Sequence, residues 1–382
     1  MKTIVIASDS YLPRWDGISR FLFEIIPMLS KKYNVLVIAP NFSGQSRIFE
    51  NVHTLRIPLT NLKAGDYSIP KFKFRVISKA ISKADLVWVN TSGSIGICSI
   101  LLSKLMKKPL LYYVHSIDWE LFQLSIKGCL IKKRFVRFIT RLIQRFLLNR
   151  VDLIMVPSNE VGEKISSLGV KSNKVAIRLG VNLKNFHPAI NKEEAKQKLG
   201  IDKNSIVIGF CGRLAREKNL KVLYRAFRRL KMDIKHKNPK LLIVGDGILD
   251  IKEQFSKLPD TILVGSVDNP QDYYQAMDIF VLPSFTETTG LVLLEAMASQ
   301  IPVISSKVGI ASEIIKNGKN GYLFDPYSDY ELYKILKKLS LETEIREKIG
   351  KAGMELIHNR FSWENTTTSI SDLMDTYLEN TQ

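Results

Sequence analysis

The feature that most constrains this chain is a pattern met twice. Short, continuous apolar runs rich in β-branched residues are separated by longer segments of helical periodicity. In the first half the runs are Thr3–Ser8, Val35–Ala39, Val52–Ile57, Leu86–Val89, Leu110–Val114 and Leu153–Val156. None alternates apolar with polar residues, so each predicts a strand covered on both faces, as in a parallel sheet. Segments such as Ile18–Leu29 and Ile95–Met106 suit crossover helices between them. The pattern breaks near residues 181–203, where the polar, Pro-containing stretch Val181–Pro188 is followed by the lysine-rich Asn191–Gly200. A second series then runs through Ile206–Phe210, Lys240–Val244, Thr261–Val264, Ile279–Leu282, Pro302–Ile304 and Gly321–Phe324. A long helical pattern over Tyr330–His358 and a last helix from Trp363 to about Leu378 complete the chain. The fold class is α/β: two Rossmann-like doubly wound domains, 1–182 and 183–361, in a chain of 382 residues that exceeds one ordinary core. Two such domains leave a cleft between them, and these folds bind ligands outside the carboxyl ends of their strands.

Composition excludes several classes. With 45% hydrophobic and 24% charged residues the chain is neither disordered nor multi-spanning. No apolar run approaches the roughly 20 residues of a membrane span. The N-terminus is too short in apolar residues for a signal peptide. Cys98, Cys129 and Cys211 lie far apart, which predicts a reduced, cytoplasmic protein without a disulfide framework or structural zinc. The net charge of +19 is unevenly placed: residues 1–182 hold 28 Lys and Arg against 11 Asp and Glu. That half therefore points to a polyanionic partner, nucleic acid or an anionic membrane surface.

Two segments of the second half carry chemistry. In Phe210-Cys-Gly212-Arg213-Leu-Ala-Arg216-Glu217-Lys218-Asn219-Leu220, a strand runs through a glycine turn into a helix. Arg213 and Lys218 read either as two cations beside a diphosphate or as solvated loop charges, and Asn219 as a cap of the following helix. In Pro283-Ser-Phe-Thr-Glu287-Thr288-Thr289-Gly290-Leu291-Val-Leu-Leu-Glu295, a polar loop enters a helix whose first amides suit an anion. Glu287 is placed to accept from sugar hydroxyls. Glu295, inside an apolar run, must be paired or functional and suits the two hydroxyls of a ribose. The alternative is a helix cap and one exposed glutamate.

Together these segments resemble the glycosyltransferase family 4 group of retaining, GT-B enzymes, which carries a Gly-Arg-Leu…Glu-Lys-Asn segment and two glutamates eight positions apart. Tyr11-Leu-Pro13…Asp16-Gly17, Val151-Asp-Leu-Ile…Pro157-Ser158, Gly180-Val-Asn182…Phe186-His-Pro188, Val244-Gly-Asp-Gly247 and Tyr274…Asp278 are similar to further parts of that family, in order. The resemblance implies that Arg213 and Lys218 hold the diphosphate of a UDP- or GDP-sugar donor and stabilise its leaving group. It implies Glu295 on the donor ribose, and Glu287 with the amides around Thr288, Thr289, Gly290 and Leu291 on sugar and phosphate. Gly212 and Gly17 would let backbone approach the donor, and His115 would lie near the transferred sugar, although a strand-end histidine is often structural. The family's loop has paired glycines where this chain has Asp16-Gly17, a departure that bears on the loop's approach to the donor; Asp16, with His115 and the basic helix, is expected on the acceptor side. The resemblance further implies a terminal helix, about 362–382, crossing back onto the first domain.

No Asp-x-Asp motif precedes the diphosphate segment, so the expected enzyme needs neither metal nor other cofactor. Gly245-Asp-Gly247 lacks the third glycine of a dinucleotide fingerprint. Ser284 and Ser305 have no neighbouring histidine pattern. The acceptor is foreshadowed by Ile126–Arg150, which has eight basic residues and no acidic one. In it Lys132, Lys133, Arg134, Arg137, Arg141 and Arg145 adjoin Phe135, Phe138, Ile139, Leu142 and Phe146 at helical spacing. Such a helix suits an anionic membrane, and its alternatives are a core helix with a solvated basic face or a partner surface. The expectation is a peripheral enzyme on the inner face of the cell membrane with a lipid or lipid-linked glycan acceptor. The alternatives are transfer to a soluble sugar or polysaccharide and, in a different class, nucleic-acid binding, which no stacking platform supports.

Overall fold

In the computed structural model, residues 1–44, 47–64, 67–125 and 130–379 are described. The chain divides into two compact units, Met1–Leu179 with Trp363–Gln382, and Gly180–Ser362. Cys129 and the start of the basic segment, 126–129, lie outside the described residues.

The first unit is built on a seven-stranded sheet in the order Val52–Ile57, Asn34–Pro40, Thr3–Ala7, Leu86–Val89, Leu110–Tyr113, Leu153–Val156, Asn173–Ala176. Every pairing is parallel. The continuous apolar runs become the central strands, and Leu86–Val89, Leu110–Tyr113 and Leu153–Val156 are buried throughout. Two elements escape the apolar pattern because water reaches them: the edge strand Asn173–Ala176 and the antiparallel hairpin Leu59–Ala64 with Tyr67–Pro70. The final helix, Trp363–Glu379, belongs to this unit. It buries Ile370 and Met374, and the Tyr33 hydroxyl donates to Asp375 at 2.7 Å.

The second unit carries a six-stranded parallel sheet in the order Thr261–Gly265, Lys240–Val244, Val207–Cys211, Ile279–Leu282, Val303–Ser306, Tyr322–Phe324. The lysine-rich stretch at its start folds as the helix Lys192–Lys198, capped by the Asn191 side chain. Its Lys196 is buried against Asp278 at 2.7 Å. The expected single helix over Tyr330–His358 is two, Asp329–Leu341 and Thr343–Arg360. Glu342 leaves the helical region, and Arg346 donates to the Leu339 carbonyl at 2.8 Å, satisfying one of the acceptors exposed by the break. Apolar spacing continues across the break, so nothing local announces it.

In both sheets the strand order reverses beside the first strand of the series. The reversals lie between Thr3–Ala7 and Leu86–Val89, and between Val207–Cys211 and Ile279–Leu282. Loops leaving those strand ends diverge to opposite faces, which opens a crevice for a ligand at each switch point.

Candidate functional site

In the second unit the two loops at the switch point are the two segments singled out in the sequence. Val207–Cys211 ends in Gly212, whose φ of +140° only glycine adopts freely. The neighbouring strand ends in Gly245 and Gly247, and a Cβ on Gly245 would lie 2.0 Å from the Gly212 carbonyl oxygen. The glycines of this loop pair therefore serve close backbone packing, which a search for dinucleotide fingerprints does not reveal.

Lys218 reaches across to Glu287, Nζ to Oε1 2.5 Å, and the Ser284 hydroxyl donates to the same oxygen at 2.8 Å. Arg213 pairs with Glu217 one helical turn on, at 2.5 Å, and Glu217 is itself buried. The two loops are also stitched by backbone, Phe285 N to Glu217 O at 2.8 Å. Both cations expected to meet a diphosphate thus lie on carboxylates in this state. Asn219 does not cap the following helix as expected. It sits in the left-handed region, and its amide donates to the Pro326 carbonyl at 2.7 Å instead.

The helix Leu291–Ala298 begins at Gly290, which is left-handed at φ +64° and supplies no side-chain cap. Thr288 and Thr289 are buried beside it. The Thr288 carbonyl accepts from Ile310 N at 3.0 Å, and Gly309 abuts it so closely that a Cβ there would lie 2.3 Å from the oxygen. Glu295 is only 1% exposed, and the Tyr274 hydroxyl donates to its Oε2 at 2.8 Å. Burial raises the Tyr274 phenol well above its usual range, so it remains a donor. The charge in the apolar run is therefore paired. Tyr274, Ser284, Glu217 and Gly309 received no role from the sequence: Tyr274 and Gly309 each lie 21 positions from their partners, and Ser284 and Glu217 sit inside the two segments but show their partners only once folded.

In the first unit, Asn90-Thr91-Ser92 at the end of Leu86–Val89 forms a hub. Asn90 Oδ1 lies 3.0 Å from His115 Nε2, Thr91 donates to Asp9 at 2.6 Å, and Ser92 Oγ meets the Tyr112 hydroxyl at 2.5 Å and accepts from Gln144 at 2.8 Å. Burial holds the His115 imidazole down at about 3, so it is neutral at pH 7, and the same cause raises the carboxyls of Asp9 and Asp118. Asn90 Nδ2 is buried without a partner among the described residues. Asp16 caps the helix Gly17–Leu29, accepting from Ile18 N and Ser19 N at 3.0 Å, and pairs with Arg14 at 3.2 Å. Its carboxylate is thus engaged in the local fold. A Cβ on Gly17 would meet nothing within 4 Å, so the space before this helix is open.

The basic segment is a helix, Leu130–Leu148. Among its described side chains Gln144, Leu147 and Leu148 are buried, and Arg137 and Arg141 are half-buried. Lys132, Arg134 and Arg145 are exposed and Lys133 is half-buried. One exposed line is apolar: Ile131 80%, Phe135 64%, Phe138 57%, Leu142 47% and Phe146 51%. Among the described residues no helix is long and apolar enough to cross a membrane.

Residues 15–185 match the Glycosyltransferase Family 4 model and residues 191–356 the Glycosyl transferases group 1 model. Among curated relatives, the chain is 28% identical over 345 residues to the alpha-monoglucosyldiacylglycerol synthase of Streptococcus pneumoniae, covering 86% of this chain and 76% of that one. It is 29% identical over 308 residues to sulfoquinovosyl transferase SQD2 of Arabidopsis thaliana, covering 78% of this chain and 58% of the relative. Anabaena HepE, solved in complex with UDP-glucose, shares the fold with a TM-score of 0.79 at 19% identity over 98% of this chain and all of that one. With both family domains in sequence, on two doubly wound sheets of the GT-B type, the chain belongs to the GT-B glycosyltransferases and is a sugar-transferring enzyme.

Proposed function

We propose that this enzyme transfers a sugar, with retention and without a metal, from a UDP- or GDP-sugar to a membrane lipid or lipid-linked glycan at an anionic membrane surface. The donor half of this reading is supported by the loop pair of the second unit. Arg213 and Lys218 exchange Glu217 and Glu287 for the diphosphate and carry the charge that builds on the leaving nucleotide. The freed Glu287 accepts from sugar hydroxyls, Glu295 from the ribose, and the amides from Thr288 to Leu291 receive sugar and phosphate. Sugar departure has oxocarbenium character. His115, uncharged, hydrogen-bonds the sugar without repelling that positive centre, and Gly17 leaves room for the donor.

The observation that carries the lipid acceptor is the exposed phenylalanine line of Leu130–Leu148, flanked by Lys132, Lys133, Arg134, Arg137, Arg141 and Arg145. Apolar rings in water beside cations match the depth profile of a charged bilayer interface. The name of the Streptococcus pneumoniae relative, a glucosyldiacylglycerol synthase, favours the same class of acceptor. On this reading the enzyme works at the cytoplasmic face. Two tests separate its halves. Glu287→Ala, Arg213→Ala and Lys218→Ala should each lower transfer by at least about a hundredfold, and undiminished turnover of Lys218→Ala removes the diphosphate assignment. Absence of binding to phosphatidylglycerol vesicles at low salt, with transfer to a soluble sugar intact, moves the acceptor out of the membrane.

A further inference from the structure

A second surface of the first unit has the same chemistry as the basic helix. Residues Lys71-Phe72-Lys73-Phe74-Arg75-Val76 are six in a row, all exposed. Phe72 is 56% and Phe74 47% exposed, and their rings stack on one another, centroids 6.2 Å apart and planes at 17°. Lys71, Lys73 and Arg75 form no ion pair among the described residues. The segment runs into the helix Phe74–Ser82, which has no side-chain cap and no acid in its first turn. Three cations at the positive end of a helix repel it in water, and two bare phenylalanines gain nothing there. Local preference is broken twice in six residues, the kind of conflict that marks a functional surface.

Its position fixes the partner. Ser94 Oγ donates to the Pro70 carbonyl at 2.7 Å, holding the root of this segment to the loop that follows Leu86–Val89. Two residues earlier in that loop, Ser92 Oγ accepts from Gln144 of the basic helix at 2.8 Å. Both aromatic, basic segments are thus anchored to the one short loop that also carries Asn90, the partner of His115. We propose that Lys71–Val76 is a second membrane contact: Phe72 and Phe74 enter an anionic lipid surface while Lys71, Lys73 and Arg75 stay at the headgroups. The first unit then meets the bilayer at two places tied to its strand-end rim, and a lipid acceptor is offered to His115 from between them. This rests on the membrane reading proposed above.

The test is co-sedimentation of the full chain with vesicles of phosphatidylglycerol in phosphatidylcholine, comparing wild type with F72S/F74S, K71E/K73E/R75E and F135S/F138S. All substituted residues are exposed, and unchanged circular dichroism and thermal unfolding confirm folding. We expect F72S/F74S and K71E/K73E/R75E each to weaken vesicle binding by about tenfold or more, and F135S/F138S combined with F72S/F74S to remove it. If F72S/F74S and K71E/K73E/R75E bind vesicles as wild type does while F135S/F138S does not, this contact is refuted and the helix reading stands. If wild type itself ignores the vesicles, both readings fail. If K71E/K73E/R75E loses binding to a mixed-sequence RNA but not to vesicles, the patch belongs to nucleic acid and the proposal is overturned.

Discussion

Tyr274→Phe removes one oxygen atom and tests how the buried Glu295 is held. In the structure Tyr274 is fully buried, Glu295 is 1% exposed, and the hydroxyl donates to Oε2 at 2.8 Å. A hydrogen bond to a charged partner contributes about 1.5–3 kcal/mol, and a buried acceptor left without it retains its desolvation cost. Glu295 has a further interaction, so the lower half of that range applies, about 1.5–2 kcal/mol. Trp15, Trp88, Trp119 and Trp363 all lie in the first unit, so tryptophan emission reports that unit while far-ultraviolet circular dichroism reports both. Urea unfolding of Tyr274→Phe followed by circular dichroism should shift to lower denaturant by that free energy. Glu295→Gln alone and the double variant close a cycle whose coupling should be at least about 1 kcal/mol. Nucleoside-diphosphate affinity should fall by about tenfold, because the carboxylate loses its orientation. Additive effects in the cycle, with affinity unchanged, would refute the assignment of Tyr274 as the residue that orients Glu295.

Three further outcomes are expected. His115 is held at about 3 by burial, whereas an unfolded histidine titrates near 6.5. The unfolded chain therefore binds the extra proton across that window, and stability falls as pH drops from about 6.5 toward 3, by at most roughly 4–5 kcal/mol. His115→Asn should flatten this part of the urea-midpoint profile, and an unchanged slope contradicts a buried neutral imidazole. Gly309→Ala places a methyl against the Thr288 carbonyl in a left-handed backbone position, and should cost more than about 1 kcal/mol in thermal unfolding. It should also weaken nucleotide binding through the 288–290 loop. Vesicle binding of the wild type should decline steeply with added salt, since its charged part is screened over about 8 Å at physiological ionic strength; a salt-independent isotherm would show that the basic residues take no part.

The sheets were legible because their central strands are apolar on both faces. Lys240–Val244, Ile279–Leu282, Leu86–Val89 and Leu153–Val156 carry the bounds read from the runs alone. The hairpin Leu59–Ala64 with Tyr67–Pro70 and the edge strand Asn173–Ala176 bury too little to leave that mark. In the candidate site, Arg213, Lys218, Glu287 and Glu295 stand out because they are charges inside a strand–loop–helix pattern. Their partners do not. Tyr274 reaches Glu295 from another helix, and Gly309 reaches Thr288 from the next loop, so only the folded sheet brings them together. Asn219 shows the opposite error: a polar residue at a helix start invites a capping role, and the local backbone decides whether it takes it. Asp16 caps its helix, whereas Asn219, forced left-handed, bonds to Pro326.

The central claim is that the second unit binds a nucleoside diphosphate through Lys218 and its neighbours. It is tested most directly by thermal unfolding and calorimetric titration of wild type and Lys218→Ala with UDP and with GDP. One nucleotide should stabilise the wild type, by about 2.7 kcal/mol at a hundred times its dissociation constant, and Lys218→Ala should bind it at least about tenfold more weakly. Binding of neither nucleotide to the wild type, or equal binding by Lys218→Ala, would contradict it.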